Sequence, residues 1–133
     1  MLPVLEVLLI EDDETDRLLV QELVALKAHG RVHMTEAHDL PSGLDLLAQR
    51  AFSLVLLDTR LRDVSALSAL RSIGECAPYT PILPHATFLT VEMRHEARQR
   101  GAWDVVGRGS VDAMWTAMSN LLEVTPAEGG ALR

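Results

Sequence analysis

Acidic side chains follow two apolar runs of the sequence at the point where each run ends. A run near the N-terminus leads into Glu11, Asp12 and Asp13, and the run 52–57 leads into Asp58. Short runs rich in Val, Leu and Ile are typical of buried strands in a parallel sheet. Ligands bind such open sheets at the carboxyl ends of the strands. The sequence therefore predicts that these carboxylates converge at one edge of a sheet.

Carboxylates that converge in this way repel one another unless protons or a cation intervene. The cluster therefore favours binding of a hard divalent ion such as magnesium. A simpler interpretation exists for each acidic group taken alone. Acids at a helix start gain about 0.3 to 1 kcal/mol from the helix dipole, and Asp58 could be an ordinary loop acid after a strand. The joint placement of the two groups favours the shared site over this simpler interpretation.

Strand-like and helix-like segments alternate along the chain, which predicts βαβ units and a parallel sheet. The predicted strands are 5–10, 32–36, a third ending at Asp58, 82–85 and 103–106. The predicted helices are 14–28, one beginning at Pro41, a third carrying apolar residues from 64 to 73, then 91–100 and 111–122. The fold class is therefore α/β with five βα repeats.

Helical spacing also predicts core residues and helix ends. The inner face of the first helix is assigned to Leu19, Leu23 and Leu26. The apolar face of the third helix is assigned to Val64, Leu67, Leu70 and Ile73. Asp13 is the predicted N-cap of the first helix, Gly30 marks its end, and Gly74 marks the end of the third. Pro84 weakens the fourth strand because it lacks a backbone N–H, but the strand is retained.

Length and composition limit the class of protein. With 133 residues and 48% hydrophobic content, the chain suits one domain whose core needs no disulfide. We predict a domain over residues 1–123 and a flexible tail over residues 124–133.

Charge and cysteine content exclude further classes. The net charge of -7 argues against direct nucleic-acid binding, which needs a basic surface. The single cysteine, Cys76, and the lack of a signal-peptide pattern fit the reducing cytoplasm. The first apolar run contains Glu6 and stops at Glu11, short of the about 20 residues that a membrane helix needs. We therefore expect a cytoplasmic protein that contacts neither nucleic acid directly nor a membrane.

Three motifs together resemble the receiver domain of bacterial two-component response regulators. They are Leu8-Leu9-Ile10-Glu11-Asp12-Asp13, Asp58 at the end of the third strand, and Gly101-Ala102-Trp103-Asp104 before the fifth. Their order inside a (βα)₅ pattern makes the combination specific. The resemblance covers about residues 4–123. It implies a doubly wound, CheY-like parallel sheet in the strand order 2-1-3-4-5.

The resemblance implies that Asp58 accepts a phosphoryl group from a sensor histidine kinase, a phosphotransfer protein or a small phosphodonor. It also implies Mg²⁺ as the cofactor, bound by Asp58 and Asp12, by Glu11 through water, and by the backbone carbonyl of Arg60. Phosphoryl transfer depends mainly on positioning and on charge neutralisation, which such a pocket supplies. The protein would be a signal receiver and not an enzyme beyond self-catalysed phosphotransfer and dephosphorylation.

The chain departs from the family where the phosphoryl group is expected. Ala86 aligns with the usual Thr or Ser, and Thr87 would substitute only through a bulge, because a one-residue slip turns its side chain to the other face. Arg108 aligns with the usual lysine and would contact phosphate with a different geometry. Val105 replaces the aromatic residue whose rotation reports phosphorylation in many relatives. The resemblance therefore identifies a divergent member.

Two arginines after Asp58 flank the predicted pocket. Arg62 stands where the family commonly has Pro, and Arg60 is two residues after the acceptor. The favoured interpretation pairs them with Asp63 in a solvated loop. The alternative is that they partly replace the metal's charge and mimic an activated state.

Three functions follow from these features. The leading hypothesis is a single-domain receiver, unless the chain is a piece of a longer protein, that signals by protein contact. A homodimer or an effector would bind the face made by the fourth helix, fifth strand and fifth helix, near Arg94, Arg98 and Arg100. The alternative is a non-phosphorylated pseudo-receiver that binds partners constitutively. A dehalogenase-type phosphatase ranks last, because it needs an acid where Arg60 stands.

Overall fold

A five-stranded parallel sheet lies at the centre of the computed structural model, which describes residues 4–86, 95, 106–107 and 111–122. The strands are β1 Leu5–Ile10, β2 Val32–Ala37, β3 Leu54–Asp58, β4 Ile82–Ala86 and β5 Val106–Gly107. The helices are α1 Glu14–Ala28, α2 Leu40–Gln49, α3 Ala66–Cys76 and a C-terminal helix Val111–Leu122. The strand order is β2-β1-β3-β4-β5, which confirms the predicted α/β fold and order.

The register between β1 and β3 positions the two acidic groups of the sequence. These central strands pair in parallel, and Ile10 lies beside Leu57. All five residues of β3 are buried, as expected for a strand covered on both faces. Glu11 follows Ile10 and Asp58 follows Leu57, so the pairing delivers both acids to one edge of the sheet.

Two apolar clusters cover the faces of this sheet, because successive strand residues point to opposite sides. One face packs against α2 and α3 and includes Leu8, Ile10, Leu47, Val55, Leu57, Leu70 and Ile73. The other packs against α1 and the C-terminal helix and includes Val7, Leu9, Val20, Val24, Leu54, Leu56 and Met118. The strand ends that carry the acids are therefore held between two helical layers.

The inner face of α1 is not the predicted one. Its buried residues are Arg17, Val20, Val24 and Ala28. Leu19 and Leu26 are 53% and 72% exposed, and Leu23 is half-buried. The prediction that these leucines form the core face is therefore wrong. The valines and Ala28 share a helical face of their own, and their smaller side chains let the helix lie against the sheet with Arg17 turned inward.

The predicted start and end of α1 are confirmed. The side chain of Asp13 accepts a hydrogen bond from the backbone N–H of Asp16, with a distance of 2.9 Å, and so caps the helix. After Ala28, His29 adopts a left-handed conformation (φ 52) and Gly30 follows with φ 80. The two left-handed residues turn the chain out of the helix toward β2.

The predicted end of α3 is wrong, because Gly74 lies inside the helix. Ser65 is the N-cap, and the backbone N–H of Ala77 donates to the carbonyl oxygen of Ile73 at the C-terminal end. A glycine within a helix costs about 1 kcal/mol relative to alanine. Burial of Leu70 and Ile73 on the same helix offsets this cost.

The start of α2 lies close to β1. A Cβ atom on Gly43 would lie 2.6 Å from Cδ1 of Ile10, so glycine allows the helix to approach the strand. The side chain of Asp39 caps the helix by accepting from the backbone N–H of Ser42 at 2.9 Å. Hydrogen bonds from the side chain and backbone of Ser42 lower the pKa of the Asp39 carboxyl below its ordinary value.

Other predicted elements are tested only in part. Pro84 lies within β4 beside Leu57, so the fourth strand forms despite it. β5 includes Val106 of the predicted fifth strand, whereas residues 103–105 lie outside the described residues. The predicted helix 91–100 also lies outside them apart from His95, which is helical. The domain boundary after residue 123 and the tail stay predictions. Among the helices that the structure describes, none is long and apolar enough to span a membrane.

Candidate functional site

Three carboxylates meet at the carboxyl edge of β1 and β3. One oxygen each from Glu11, Asp12 and Asp58 lie within 4.8 Å of one another. Glu11 and Asp58 are 0% and 2% exposed, whereas Asp12 is half-buried. The structure thus brings together Glu11, Asp12 and Asp58, as the sequence predicted. Asp13 does not join them, because it is exposed and its side chain caps α1.

The composition of this cluster fits a hard divalent cation. Buried carboxylates with like charges disfavour the fully ionised state unless a positive charge lies near them. Carboxylate oxygens are the ligands that Mg²⁺ prefers, and Mg²⁺ needs only one or two of them because it keeps several waters. Glu11, Asp12 and Asp58 therefore supply a suitable donor set, with Asp12 at the side of the pocket that solvent can reach.

Backbone N–H groups orient two of these carboxylates. The N–H of Arg60 donates to Oδ1 of Asp58 at 3.0 Å. The N–H of Asp13 lies 3.3 Å from Oε2 of Glu11 and donates to it. Both donors lie in the short segments that follow β1 and β3, so the chain that leaves the sheet also holds the acids in place.

A buried arginine supports the edge from α1. Nη1 of Arg17 donates to the backbone carbonyl oxygen of Glu11 at 2.9 Å. Its Nε lies 3.8 Å from Oε1 of Glu36 on β2, and the side-chain amide of Gln21 donates to the same carboxylate. Arg17 therefore ties the end of β1 to α1 and β2. The sequence prediction missed this residue, although its spacing from Val20 and Val24 places it on one helical face with them.

The two arginines after Asp58 have partners that the sequence did not predict. The backbone N–H of Arg62 donates to Oδ2 of Asp12 at 3.0 Å, and Nε of Arg62 lies 3.8 Å from the same oxygen. Nη2 of Arg60 lies 3.7 Å from Oδ2 of Asp16. The predicted pairing with Asp63 is wrong. The loop folds back over the end of β1, where the acids of the pocket and of the first turn of α1 outcompete a neighbour in the chain.

A cleft of about 430 Å³ adjoins the cluster on the side of Asp12. It lies between the loop that precedes α2 and the loop that follows β3. Its lining residues are Asp12, His38, Asp39, Leu40, Pro41, Leu61, Arg62, Asp63 and Val64. Arg62 thus borders both the cleft and the acidic cluster.

Of the remaining predicted site residues, only Ala86 lies on a described strand, at the end of β4. Asp58 pairs with His85 across β3 and β4, so Ala86 ends β4 one position further toward the pocket edge. Thr87 and Arg108 lie outside the described residues. Their roles, and the metal-binding role of the Arg60 carbonyl, stay predictions.

Comparison with known families identifies the class of protein that this fold and acidic edge define. The family model described as "Response regulator receiver domain" matches residues 7–111. The chain therefore belongs to the response regulator receiver domain family.

Curated relatives are consistent with this assignment. The chain is 32% identical over 98 residues to the response regulator protein PilR of Pseudomonas aeruginosa, covering 72% of this chain and 21% of PilR. It is 31% identical over 99 residues to the response regulator protein FleR of the same species, covering 74% of this chain and 20% of FleR. The chain thus spans about a fifth of the length of the curated relatives that it matches.

Solved structures share the fold. A CheY-like receiver domain protein from Methanospirillum hungatei JF-1 superposes with a TM-score of 0.80 at 16% identity, covering 95% of this chain and 99% of that one. NtrX from Brucella abortus, solved with ADP, superposes with a TM-score of 0.77 at 26% identity, covering 91% of this chain and 27% of that one. The architecture is therefore that of a receiver domain across large sequence differences.

Proposed function

We propose that this receiver accepts a phosphoryl group on Asp58 in a Mg²⁺-dependent reaction and signals by protein contact. The observation that carries the proposal is the meeting of Glu11, Asp12 and Asp58 at one sheet edge. Asp58 is the buried acid at the end of the central strand, held by the N–H of Arg60. This geometry presents one carboxylate as a nucleophile and the other two as its charged surroundings.

In the proposed reaction a carboxylate oxygen of Asp58 attacks the phosphorus of a phosphohistidine. The new P–O bond forms as the P–N bond breaks, and the imidazole, protonated on its other ring nitrogen, leaves with the bonding electron pair as a neutral ring. The N–H of Arg60 donates to Oδ1 of Asp58 and so orients the attacking carboxylate. Arg17 keeps the Glu11 peptide in place through its carbonyl oxygen, which fixes the direction of the following residue, Asp12.

Asp58 and Asp12 are the proposed direct ligands of Mg²⁺, with Glu11 acting through water and the carbonyl of Arg60 completing the protein ligands. When bound, the ion would neutralise charge that develops on the phosphoryl oxygens. Arg108 is the proposed phosphate contact in place of lysine. Thr87 is a candidate hydroxyl donor, because Ala86 offers none at the usual position.

The proposed phosphodonor is a sensor histidine kinase or a phosphotransfer protein, and receiver domains as a class act in such signalling. The predicted homodimer or effector surface includes the C-terminal helix, and it remains a proposal, as does the cytoplasmic location. PilR and FleR are named as response regulators. Because this chain spans about a fifth of them, the activity of the whole protein is also a proposal.

A pseudo-receiver that is never phosphorylated is the second candidate. One observation favours it: the N–H and the guanidinium of Arg62 both face Oδ2 of Asp12. An arginine in that position supplies positive charge that a metal would otherwise supply. A constitutive interaction module could be stabilised in this way without any phosphoryl group.

Phosphoryl uptake distinguishes the two candidates. The protein is incubated with acetyl phosphate and MgCl₂, and intact mass spectrometry measures the gain of one phosphoryl group. We expect the gain in the wild type and in Asp45→Asn, which removes an exposed acid of α2 outside the pocket. We expect no gain in Asp58→Asn. No gain in any protein, together with no NMR shift on adding beryllofluoride and Mg²⁺, would support the pseudo-receiver.

A further inference from the structure

Arg62 makes two contacts with the same oxygen of Asp12. Its backbone N–H donates to Oδ2 at 3.0 Å, and its Nε lies 3.8 Å from that atom. Asp12 is also one of the three acids whose oxygens lie within 4.8 Å of one another. A fixed positive charge of the chain therefore stands beside a carboxylate that a divalent cation would use.

The two contacts of Arg62 differ in how readily they can be lost. The backbone N–H belongs to the loop after β3 and is held by the fold. The Arg62 side chain is 79% exposed, whereas that of Asp12 is 18% exposed. Water screens an ion pair with so exposed a partner, and the long side chain gains freedom on leaving it. The guanidinium can therefore be displaced while the N–H stays in place.

We infer that Arg62 competes with the divalent cation for Asp12 and lowers the affinity of the pocket for Mg²⁺. A cation at Asp12 meets the positive charge of Arg62 unless the side chain moves into the adjoining cleft, which Arg62 also lines. The cost of displacing the guanidinium is subtracted from the binding free energy of any cation at Asp12, so the affinity for Mg²⁺ falls. This role of Arg62 rests on the proposed function of the pocket.

Arg60 offers an internal contrast two residues earlier in the same loop. Its guanidinium lies 3.7 Å from Asp16, an acid in the first turn of α1 and not one of the three clustered acids. Arg60 and Arg62 thus carry equal charge on one loop, but their guanidinium groups lie near different carboxylates. If direct competition is the mechanism, only Arg62 should have a large effect on cation affinity.

The test is a titration of MgCl₂ followed by the backbone amide resonances of residues 11–13 and 58–62. We expect Arg62→Gln to bind Mg²⁺ about three- to tenfold more tightly than the wild type at low ionic strength, and the ratio should shrink as salt is added. Arg62→Lys, which keeps the charge, should stay near the wild type. Arg71→Gln makes the same change in net charge at an exposed site on α3 that lines neither the cluster nor the cleft. Arg60→Gln removes the other arginine charge of the loop. Both variants should change the Mg²⁺ affinity less than Arg62→Gln does.

Equal Mg²⁺ affinities in Arg62→Gln and Arg71→Gln would overturn the competition by Arg62. The proposed function is measured separately by phosphoryl uptake on Asp58 and could survive that result. Conversely, an Arg62-dependent Mg²⁺ affinity without phosphoryl uptake would uphold the competition and reject the phosphoacceptor role. Amide resonances in the absence of Mg²⁺ report whether each variant is folded, and substitution of a side chain this exposed should preserve the fold.

Discussion

Helices α1 and α3 each follow a strand that carries an acid of the pocket, yet they pack against the sheet in different ways. α3 buries two of the four apolar residues that its spacing predicts, Leu70 and Ile73, at 1% and 0% exposure. The other two assignments are wrong, because Leu67 is 37% exposed and Val64 precedes the N-cap Ser65. α1 leaves Leu19 and Leu26 in solvent and buries Arg17. The two helices lie on opposite faces of the sheet, in separate apolar clusters.

The difference shows that α1 supports the acidic edge of the sheet as well as covering one of its faces. It brings a guanidinium to the carbonyl oxygen of Glu11 and to the carboxylate of Glu36. The N-terminus of α1 also starts at the pocket, where Asp13 caps it. The rotation of α1 is therefore decided by the polar contacts of the acidic edge as well as by apolar burial, whereas the buried residues of α3 are all apolar.

The strongest test of the apolar side of this comparison is Ile73→Ala. Ile73 is 0% exposed on the inner face of α3, so its truncation should leave a cavity and lower the free energy of unfolding by about 2 to 5 kcal/mol. Urea denaturation followed by circular dichroism measures the loss. Leu67→Ala, at a position that is 37% exposed on the same helix, should cost clearly less. Equal costs at the two positions would contradict the difference in burial between Ile73 and Leu67.

Arg17→Met tests the polar side. The variant keeps much of the apolar stem but leaves the carbonyl oxygen of Glu11 without this buried donor, which should cost about 1 to 3 kcal/mol of unfolding free energy. We also expect slower phosphoryl uptake on Asp58, because the peptide that leads into Asp12 loses its anchor. Arg71→Met on α3 should change neither quantity. A variant with wild-type stability and uptake would mean that Arg17 does not organise the edge.

The smallest effect is expected from Leu26→Ala. Leu26 is 72% exposed, and alanine is an equally good helix former, so unfolding free energy should change by less than about 0.5 kcal/mol. The same urea experiment measures it beside Ile73→Ala. If Leu26→Ala lowered the unfolding free energy as much as Ile73→Ala does, Leu26 would have to be buried in the folded protein. The comparison between the two helices would then be reversed.

Much of the fold was predictable because strands and helices have different periods. The bounds of β1 and α1 match the predictions residue for residue, since a buried apolar run ends at charged residues and a capping acid starts the helix. The helical face of α1 was not predictable from hydrophobicity. Leu19, Leu23 and Leu26 have larger apolar side chains than the valines, so hydrophobicity favours the leucine face. Only the location of Glu11 and Glu36 shows why Arg17 faces inward.

The candidate site also has one part that the sequence predicted and one part that it did not. The convergence of Glu11, Asp12 and Asp58 followed from the parallel pairing of two strands, a property that a sequence pattern encodes. The partners of Arg60 and Arg62 could not be predicted from the strand pairing, because Asp16 and Asp12 lie on another segment of the chain. Asp12 is fifty positions from Arg62 in the chain, and no local pattern favours it over the adjacent Asp63.

The sequence by itself determined the alternation of strands and helices, the parallel sheet and the edge at which the acids meet, because each depends on local spacing and on pairing rules that all such sheets obey. The tertiary structure decided which side of α1 is buried and which carboxylate each arginine meets. Those outcomes depend on distances between segments far apart in the chain, and they arise only when several groups compete for the same space and the same charge.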